Sequence, residues 1–295
     1  MNLGVVTRSF PNLTNRETAE LMAQSGLACT ELCFSQTDSK FWIYNGRSDL
    51  TEMSDARCRA IVDTYRDCGI AVTALGCFTN LIAPDDTERA ANLAYFDHML
   101  RLAAVSGVPY VSTECGFTPS KRGVNTDTYE QDFARLLESL RQLTEAAERH
   151  NVAIALEPCV IDIVPSAKRA ADLIAQVGSD RLKILLDPAN LIANNTEAEM
   201  FHHLAPHIAY FHGKDRKVND VSGRLIGDGD IDWPLFLRLY HRHTEGLPFI
   251  LEYVKPENFL EIRDRVLRAD AAAQNQAVGH ASFESGKQEN TPINF

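Results

Sequence analysis

Short apolar runs rich in β-branched residues alternate with longer amphipathic segments along almost the whole chain. The apolar runs predict eight buried strands, because strands of a parallel sheet covered on both faces read as continuous apolar stretches. We expect these strands at residues 3–7, 28–34, 70–76, 108–113, 151–157, 182–187, 207–213 and 249–254. The amphipathic segments predict eight helices, near residues 14–25, 52–68, 86–106, 127–150, 166–177, 196–204, 232–243 and 256–274.

Eight strand-then-helix units of this length predict an α/β fold with a single (β/α)8 TIM barrel, which typically needs about 250 residues. A doubly wound open sheet is the alternative, but the pattern GxGxxG is missing after the first strand. We place the barrel domain at residues 1–274. Residues 275–295 are polar and aperiodic, which predicts a C-terminal tail that is appended to the barrel or disordered.

Composition argues against two classes of binding partner, nucleic acids and membranes. The formal charge of −11, from 29 basic and 40 acidic residues, argues against a nucleic-acid partner. No apolar run approaches the roughly 20 residues that span a bilayer, so we expect no membrane partner. The first residues lack the pattern of a secretory signal, and the seven cysteines form no CxxC pair. Both features predict reduced thiols and a cytoplasmic protein.

Four consecutive predicted strands, the fifth to the eighth, each end in a residue that can bind a metal ion. These residues are Glu157, Asp187, His212 and Glu252. The carboxyl ends of the strands form the active site of a TIM barrel, so we expect the four side chains to meet there. Three carboxylates without a cation would repel one another. The set therefore predicts one divalent metal ion, for which Mn²⁺, Mg²⁺, Co²⁺ and Zn²⁺ are all suitable.

Other charged residues near the predicted strand ends are candidates for substrate binding. Glu31 and Glu114, at the ends of strands two and four, could each contact substrate, support a metal ligand or form an ion pair. Lys214 lies two residues after His212 and shares its inward face, where it could contact a substrate oxygen or a neighbouring carboxylate. Arg216 is a further candidate, although it could instead pair locally with the aspartate before it.

These residues resemble motifs of the xylose-isomerase-like (β/α)8 superfamily, which contains sugar isomerases and epimerases. The matching sequences are LEP at 156–158, LLDPANL at 185–191, HGKD at 212–215, GDGDIDW at 227–233 and LEY at 251–253. The resemblance, over residues 3–270, implies that the four strand-end residues bind one divalent metal ion. It also implies that Glu157 and Glu252 move protons on opposite faces of the substrate, as in ketose 3-epimerases. In GDGDIDW, Asp232 would cap the seventh of the eight expected helices and Trp233 would pack.

Two positions depart from the ketose 3-epimerase pattern. Asn190 stands where those epimerases carry a histidine, and Ile163 stands where they carry a substrate-binding glutamate. We retain Asn190 as a candidate substrate-binding residue. The two differences count against a free ketose as the substrate.

The implied reaction begins with removal of a proton beside a carbonyl, which gives a metal-stabilised enediolate. Return of the proton elsewhere isomerises or epimerises the substrate. We therefore expect an isomerase or epimerase of carbohydrate metabolism with a small polyhydroxylated carbonyl substrate, as a monomer or a homo-oligomer. Loss of a β-substituent from the same intermediate would instead make the protein a lyase, such as a keto-polyol dehydratase. A phosphodiesterase similar to the superfamily's abasic-site endonucleases is the third hypothesis, but it needs more strand-end histidines.

Overall fold

A computed structural model shows eight strands that close into one barrel in the order of the sequence. The structure describes residues 1–119, 121, 123–244 and 246–284, with side chains through residue 275. The strands are β1 (Asn2–Val5), β2 (Cys29–Leu32), β3 (Ala71–Gly76), β4 (Tyr110–Glu114), β5 (Ala153–Glu157), β6 (Leu182–Leu186), β7 (Ile208–Gly213) and β8 (Pro248–Leu251). Each strand pairs in parallel with the next, and β8 pairs in parallel with β1. The predicted TIM barrel is confirmed.

The helices follow the strands in alternation. They are α1 (Asn15–Gln24), α2 (Asp55–Asp67), α3 (Asp86–Ser106), α4 (Tyr129–His150), α5 (Ala167–Val177), α6 (Pro188–Leu191), α7 (Glu197–Leu204), α8 (Trp233–Thr244) and α9 (Phe259–Glu284). Short 3₁₀ turns cover Thr7–Ser9 and Ala205–His207. All of these α-helices except α6 were predicted. The short helix α6 starts directly after β6 because the Asp187 side chain caps it and Pro188 fits its first turn.

The last helix runs further than the sequence pattern predicts. Helix α9 continues to Glu284, through the first part of the segment predicted as a polar tail. Residues 285–295 lie outside the described residues, so the division into barrel and tail stays a prediction. Within the described part of the chain, no helix is both long and apolar enough to cross a membrane.

Local sequence sets the ends of the helices. Thr14 caps α1 by accepting a hydrogen bond from the backbone of Glu17, and the Glu17 side chain accepts one from the backbone of Thr14. Gly107 ends α3 with φ at +67°, a left-handed conformation in which glycine has no Cβ penalty. The first feature sets where α1 begins, and the second sets where α3 ends and the chain turns back towards the barrel.

The core has two layers. The larger cluster packs the strands against the surrounding helices. A smaller cluster draws residues from six of the eight strands and fills the inside of the barrel below its carboxyl-terminal end; it contains Val6, Cys29, Ala74, Ala155, Leu185, Ala209, Tyr210 and Ile250. The barrel is therefore packed solid beneath the end at which the predicted site residues lie.

Candidate active site

The four residues expected to bind a metal ion lie together at the carboxyl end of the barrel. Glu157 is the last residue of β5 and His212 lies near the end of β7, whereas Asp187 and Glu252 follow β6 and β8 directly. Each offers a ligand atom within 4.8 Å of those of the others, and all four residues are buried. The sequence pattern predicts strands that include Asp187 and Glu252, whereas in the structure each is the first residue after its strand and still joins the cluster.

Lys214 lies among the carboxylates of this cluster. Its Nζ is 2.5 Å from Asp187 Oδ2, 2.8 Å from Glu252 Oε2 and 3.9 Å from Glu157 Oε1. The strand alternation that was expected to point His212 and Lys214 into the same space is confirmed by these contacts. Of the two roles left open for Lys214, pairing with neighbouring carboxylates is the one seen in the structure.

Gly213 lies between His212 and Lys214 and faces away from the cluster. A Cβ at Gly213 would lie 2.4 Å from the Phe249 ring of β8 and 3.0 Å from Ile226. The close approach of that ring explains why the position needs glycine.

His212 is oriented by a second carboxylate on its far side. Its Nε2 lies 3.0 Å from Glu31 Oε2, which also accepts a hydrogen bond of 2.5 Å from the Tyr210 hydroxyl. Its Nδ1 faces the cluster, 3.3 Å from Glu157 Oε1. Glu31 is fully buried. A carboxylate that accepts a hydrogen bond from Nε2–H favours the tautomer in which the Nδ1 lone pair can bind a metal ion.

The charges of the cluster shift one another's pKa. Burial alone would raise the pKa of Glu157, but Lys214 and His212 lower it to about 2. Burial would lower the pKa of His212, but Glu31 and Glu157 raise it to about 9. Burial would also lower the pKa of Lys214, but Asp187 and Glu157 raise it above its ordinary value. Without a metal ion, therefore, lysine and imidazolium balance the carboxylates.

A chain of hydrogen bonds links the cluster to Arg216. The Asn190 amide donates to Glu157 Oε1 at 2.9 Å, and Arg216 Nη2 donates to Asn190 Oδ1 at 3.2 Å. Arg216 is 3% exposed, and its Nε and Nη1 have no hydrogen-bond partner among the described residues. The local ion pair considered for Arg216 is not what the structure shows, because the Asp215 carboxylate accepts from the Arg216 backbone instead.

Asp215 organises the loop between β7 and α8. Its buried carboxylate accepts hydrogen bonds from the Trp233 indole at 2.7 Å and from the Gly227 backbone at 2.9 Å. Asp232 caps α8 by accepting from the Leu235 backbone, as the resemblance implied. Trp233 is buried and packs against Phe236 and Phe249, which is also as expected.

A cavity of about 760 Å³ opens above the cluster. Its charged lining includes Arg8, Glu114, Glu157, Lys214, Arg216 and Glu252, with Asn190 beside them. Glu114 accepts a hydrogen bond of 2.7 Å from the Tyr44 hydroxyl, and burial raises the pKa of Glu114. Three of the predicted site residues, Glu31, Asp187 and His212, do not line the cavity. They lie beneath it, where they support the residues that do.

Sequence reasoning missed Arg8. This residue follows β1, lines the cavity and forms an ion pair with Glu252. Its guanidinium lies 5.7 Å from the centre of the Trp42 ring and 5.5 Å from that of Phe78. The signal was available, because Arg8 follows the end of a predicted strand. A guanidinium cannot bind a cation, so the pattern of carboxylates and imidazole that predicts a metal site does not include Arg8.

The donor set fits a divalent cation. Three carboxylates and one imidazole nitrogen converge from four adjacent strand ends, and hydrogen bonds orient both Glu157 and His212. Oxygen and imidazole donors of this kind suit first-row divalent metals and Mg²⁺. Among the described residues, this is the one group of three or more metal-ligating side chains close enough together.

Solved structures of the same fold include several enzymes. The 3-keto-D-glucoside 4-epimerase YcjR from E. coli has 13% sequence identity, covers 91% of this chain and 99% of its own, and gives a TM-score of 0.73. The probable 3-DHS dehydratase AsbF from Bacillus anthracis has 15% identity, with coverage of 94% and 99% and a TM-score of 0.70. The zinc-bound IolI protein has 17% identity, with coverage of 95% and 99% and a TM-score of 0.69. At these identities the likeness shows the fold.

Sequence comparisons address the family directly. A search of curated protein sequences gives no significant match. The model of the xylose isomerase-like TIM barrel family matches residues 19–277, which is most of the chain. The chain therefore belongs to the xylose isomerase-like TIM barrel family.

Proposed function

We propose that the protein is a divalent-metal-dependent isomerase or epimerase of a sugar-like hydroxy-carbonyl compound. The observation that carries this proposal is that two of the four clustered residues line the cavity and two do not. Glu157 and Glu252 line the cavity, whereas Asp187 and His212 lie beneath it. Two glutamates can thus contact a substrate while all four residues converge on one point.

The cation would be held by Glu157, Asp187, His212 and Glu252. The chemistry that a divalent cation supplies at such a site is Lewis acidity, which polarises a carbonyl and acidifies the adjacent C–H. Glu31 keeps the imidazole of His212 in the orientation that turns Nδ1 towards the cluster. The zinc-bound IolI protein shows that the fold is compatible with a metal ion.

Glu157 and Glu252 are the proposed proton-transfer groups. One carboxylate removes the proton beside the carbonyl, and the proton returns to another carbon or to the opposite face. The Asn190 amide fixes the position of Glu157, and Arg8 and Lys214 fix that of Glu252. A base that is held still before the reaction loses little entropy when it reacts.

Donors around the cavity would hold the substrate oxygens. Lys214, Arg216 and Asn190 form one group of such donors, and Arg216 is the member without a carboxylate partner among the described residues. Glu114 adds an acceptor on the other side of Glu157, because β4 and β5 pair these two glutamates. This array suits a small polyhydroxylated carbonyl compound, and the E. coli epimerase named above acts on a keto-sugar derivative.

A lyase that shares the first proton removal is the second candidate, because a probable dehydratase shares the fold. A phosphodiesterase is not proposed, since the clustered set of the described residues holds one histidine. A cytoplasmic location stays a prediction, as does the absence of a nucleic-acid partner. The choice between monomer and homo-oligomer stays open.

The test is proton exchange in D₂O. Protein loaded with Mn²⁺ or Co²⁺ is incubated with a panel of keto-sugars and their derivatives, and the products are followed by NMR and mass spectrometry. We expect solvent deuterium at a carbon beside the carbonyl of at least one compound, with a product that identifies isomerisation, epimerisation or elimination. Metal-loaded protein that exchanges no proton in any of these compounds would contradict the proposal.

A further inference from the structure

Exposed apolar side chains of the protein concentrate at the mouth of the cavity. Of the seven large hydrophobic residues that are exposed in the described part of the chain, five lie in loops at the carboxyl end of the barrel; these are Ile43, Tyr44, Val218, Val221 and Tyr253. The other two, Leu260 and Leu267, lie on α9. Such a concentration marks a binding surface more often than scattered single residues do.

Three of these five residues line the cavity, and the half-buried Trp42 lines it beside them; together the four form the apolar rim, defined as Trp42, Tyr44, Val221 and Tyr253. These residues come from three separate loops, after β2, β7 and β8. Tyr44, Val221 and Tyr253 are 49%, 59% and 53% exposed. The charged residues lie on the floor, so the cavity is polar at its base and apolar at its opening.

Tyr253 connects the rim with the floor. Its backbone has φ at +61°, a left-handed conformation that is uncommon for a bulky residue and costs free energy. Its ring packs over Gly223, where an added Cβ would lie 2.5 Å from the ring, and lies 5.3 Å from Lys214 Nζ. An uncommon backbone conformation thus holds a half-exposed ring directly above the substrate-facing lysine.

The opposite side of the rim is also held in place. The Tyr44 hydroxyl donates to Glu114, and its ring lies 6.0 Å from that of Phe78 and 6.1 Å from that of Trp42. Arg8 lies against Trp42. Aromatic side chains ordered by partners on the protein lose little further entropy when a ligand ring contacts them.

We propose that the apolar rim is a second subsite, which binds a ring joined by a glycosidic bond to the sugar-like unit on the floor. This inference rests on the proposed function and adds the substrate class, a glycoside. The rim is continuous with the cavity above the reacting groups, and a cavity of about 760 Å³ lies within the range of pockets that hold drug-sized ligands. A flat ring would cover apolar surface that a lone polyol leaves in water.

The test compares methyl and phenyl β-glycosides of 3-keto-glucose, 3-keto-galactose and 3-keto-xylose, which keep a carbonyl beside a hydroxyl for the floor of the cavity, together with cellobiose that carries the same 3-keto group. Binding to the full-length protein with Mn²⁺ is measured by calorimetry, which needs no turnover. For at least one sugar we expect the phenyl glycoside to bind about tenfold more tightly than the methyl glycoside. A gain for cellobiose as well would show that the subsite accepts a sugar ring, and a gain for phenyl alone would restrict it to a planar group.

Two rim variants and one control make the test specific. Tyr253→Asn removes the ring but keeps a residue that tolerates a left-handed backbone, and Val221→Ser changes the rim independently. Each should lower the phenyl-to-methyl affinity ratio by about threefold or more. The matched control Leu260→Asn, which alters an exposed apolar residue on α9, should leave the ratio unchanged.

Equal affinity for both glycosides in the unmodified protein would overturn the second subsite, as would failure of every probe to bind. It would also be overturned if the protein formed a dimer that Tyr253→Asn and Val221→Ser dissociate while the phenyl ring gives no gain, since a second copy would then cover the rim. Deuterium exchange in a simple keto-sugar would still support the proposed function in each of these cases.

Discussion

Lys214 supplies a positive charge among the three clustered carboxylates of the site. Three buried carboxylates close together would destabilise the fold, and the ammonium of Lys214 contacts two of them directly. It also lies in the cavity wall, within reach of a substrate. A bound divalent ion would share the neutralising role and leave the lysine available to a substrate oxygen.

Replacing Lys214 with methionine tests both of its roles. We expect Lys214→Met to keep metal binding but to lower kcat/KM by about ten- to a hundredfold, the effect of losing one charged hydrogen bond. Without metal the variant should melt at a lower temperature than the unmodified protein, so its Tm should rise more when Mn²⁺ is added. Lys217→Met, an exposed residue of the same loop, is the control. Unchanged kinetics and an unchanged metal-induced rise in Tm would remove Lys214 from the site.

Amide variants of the two cavity-facing glutamates should distinguish their role in proton transfer from their role in metal binding. We expect Glu157→Gln and Glu252→Gln each to lower kcat by about 10²- to 10⁴-fold, because an amide cannot accept the substrate proton. Metal content measured on the same samples shows whether turnover is lost with the metal still bound. Glu257→Gln, at the exposed rim of the cavity, should have near-normal rates. Near-normal rates in both site variants would reject the proton-transfer mechanism.

Glu31 should act through His212. In Glu31→Gln the amide cannot hold the imidazole as the carboxylate does, so we expect metal affinity to fall by about 10- to 100-fold. Tyr210→Phe removes the other hydrogen bond to the same oxygen and should have a smaller effect. Titration of both variants with Zn²⁺ or Mn²⁺ gives the comparison. A larger loss in Tyr210→Phe than in Glu31→Gln would contradict this role.

At the scale of elements, the strand ends position the four clustered residues, and the loops that follow the strands provide much of the cavity lining around them. The loop from β7 to α8 contributes Lys214 and Arg216 to the cavity, and the buried carboxylate of Asp215 ties its two ends together. Backbone and indole N–H groups would be left without a partner if that carboxylate were removed. One buried side chain therefore joins the two ends of the loop, in addition to the backbone bridge between Asp215 and Arg224.

Removing this carboxylate should cost stability and activity together. We expect Asp215→Ala to lower the free energy of unfolding by about 2–3 kcal/mol, from the loss of charged hydrogen bonds and the unpaired donors left behind. Asp230→Ala removes an exposed carboxylate of the same loop that accepts from the Val218 backbone, and should change stability by about 0.5 kcal/mol or less. Urea denaturation measures both. Equal, small effects of the two variants would show that Asp215 does not hold the loop.

Within the described residues, the sequence predicts the eight strands, eight of the nine α-helices and the clustering of the four strand-end residues, because each strand and helix has a local pattern. Apolar runs locate the strands, and the barrel topology then places their ends together. The sequence leaves three roles open for Glu31, and its contact with His212 depends on side-chain geometry that local patterns do not give. Nor does the sequence predict the short helix α6, whose four residues form a turn capped by a residue already assigned to a strand. The pairing of Lys214 depends on side-chain geometry, which periodicity cannot resolve.

For the whole molecule, closure of the barrel is what converts distant residues into one site. The carboxyl ends of β5 to β8 each contribute one of the four clustered residues, and Arg8 after β1 and Glu31 of β2 lie around them. A ligand that binds only the folded state stabilises it, by about 2.7 kcal/mol at a concentration one hundred times its Kd. A bound cation should thus make the stability of the entire barrel depend on metal concentration.

Metal content per chain is the measurement that tests the central claim most directly. Elemental analysis is applied to unmodified protein purified without chelator and to the variant Asp187→Ala. The variant removes one proposed metal ligand that does not line the cavity. The account predicts one divalent ion per chain in the unmodified protein, a large loss of metal in the variant, and a fall in Tm on chelation in the former alone. Unmodified protein that holds no metal, and whose Tm and activity do not change with added Mn²⁺, Co²⁺, Mg²⁺ or Zn²⁺, would contradict it.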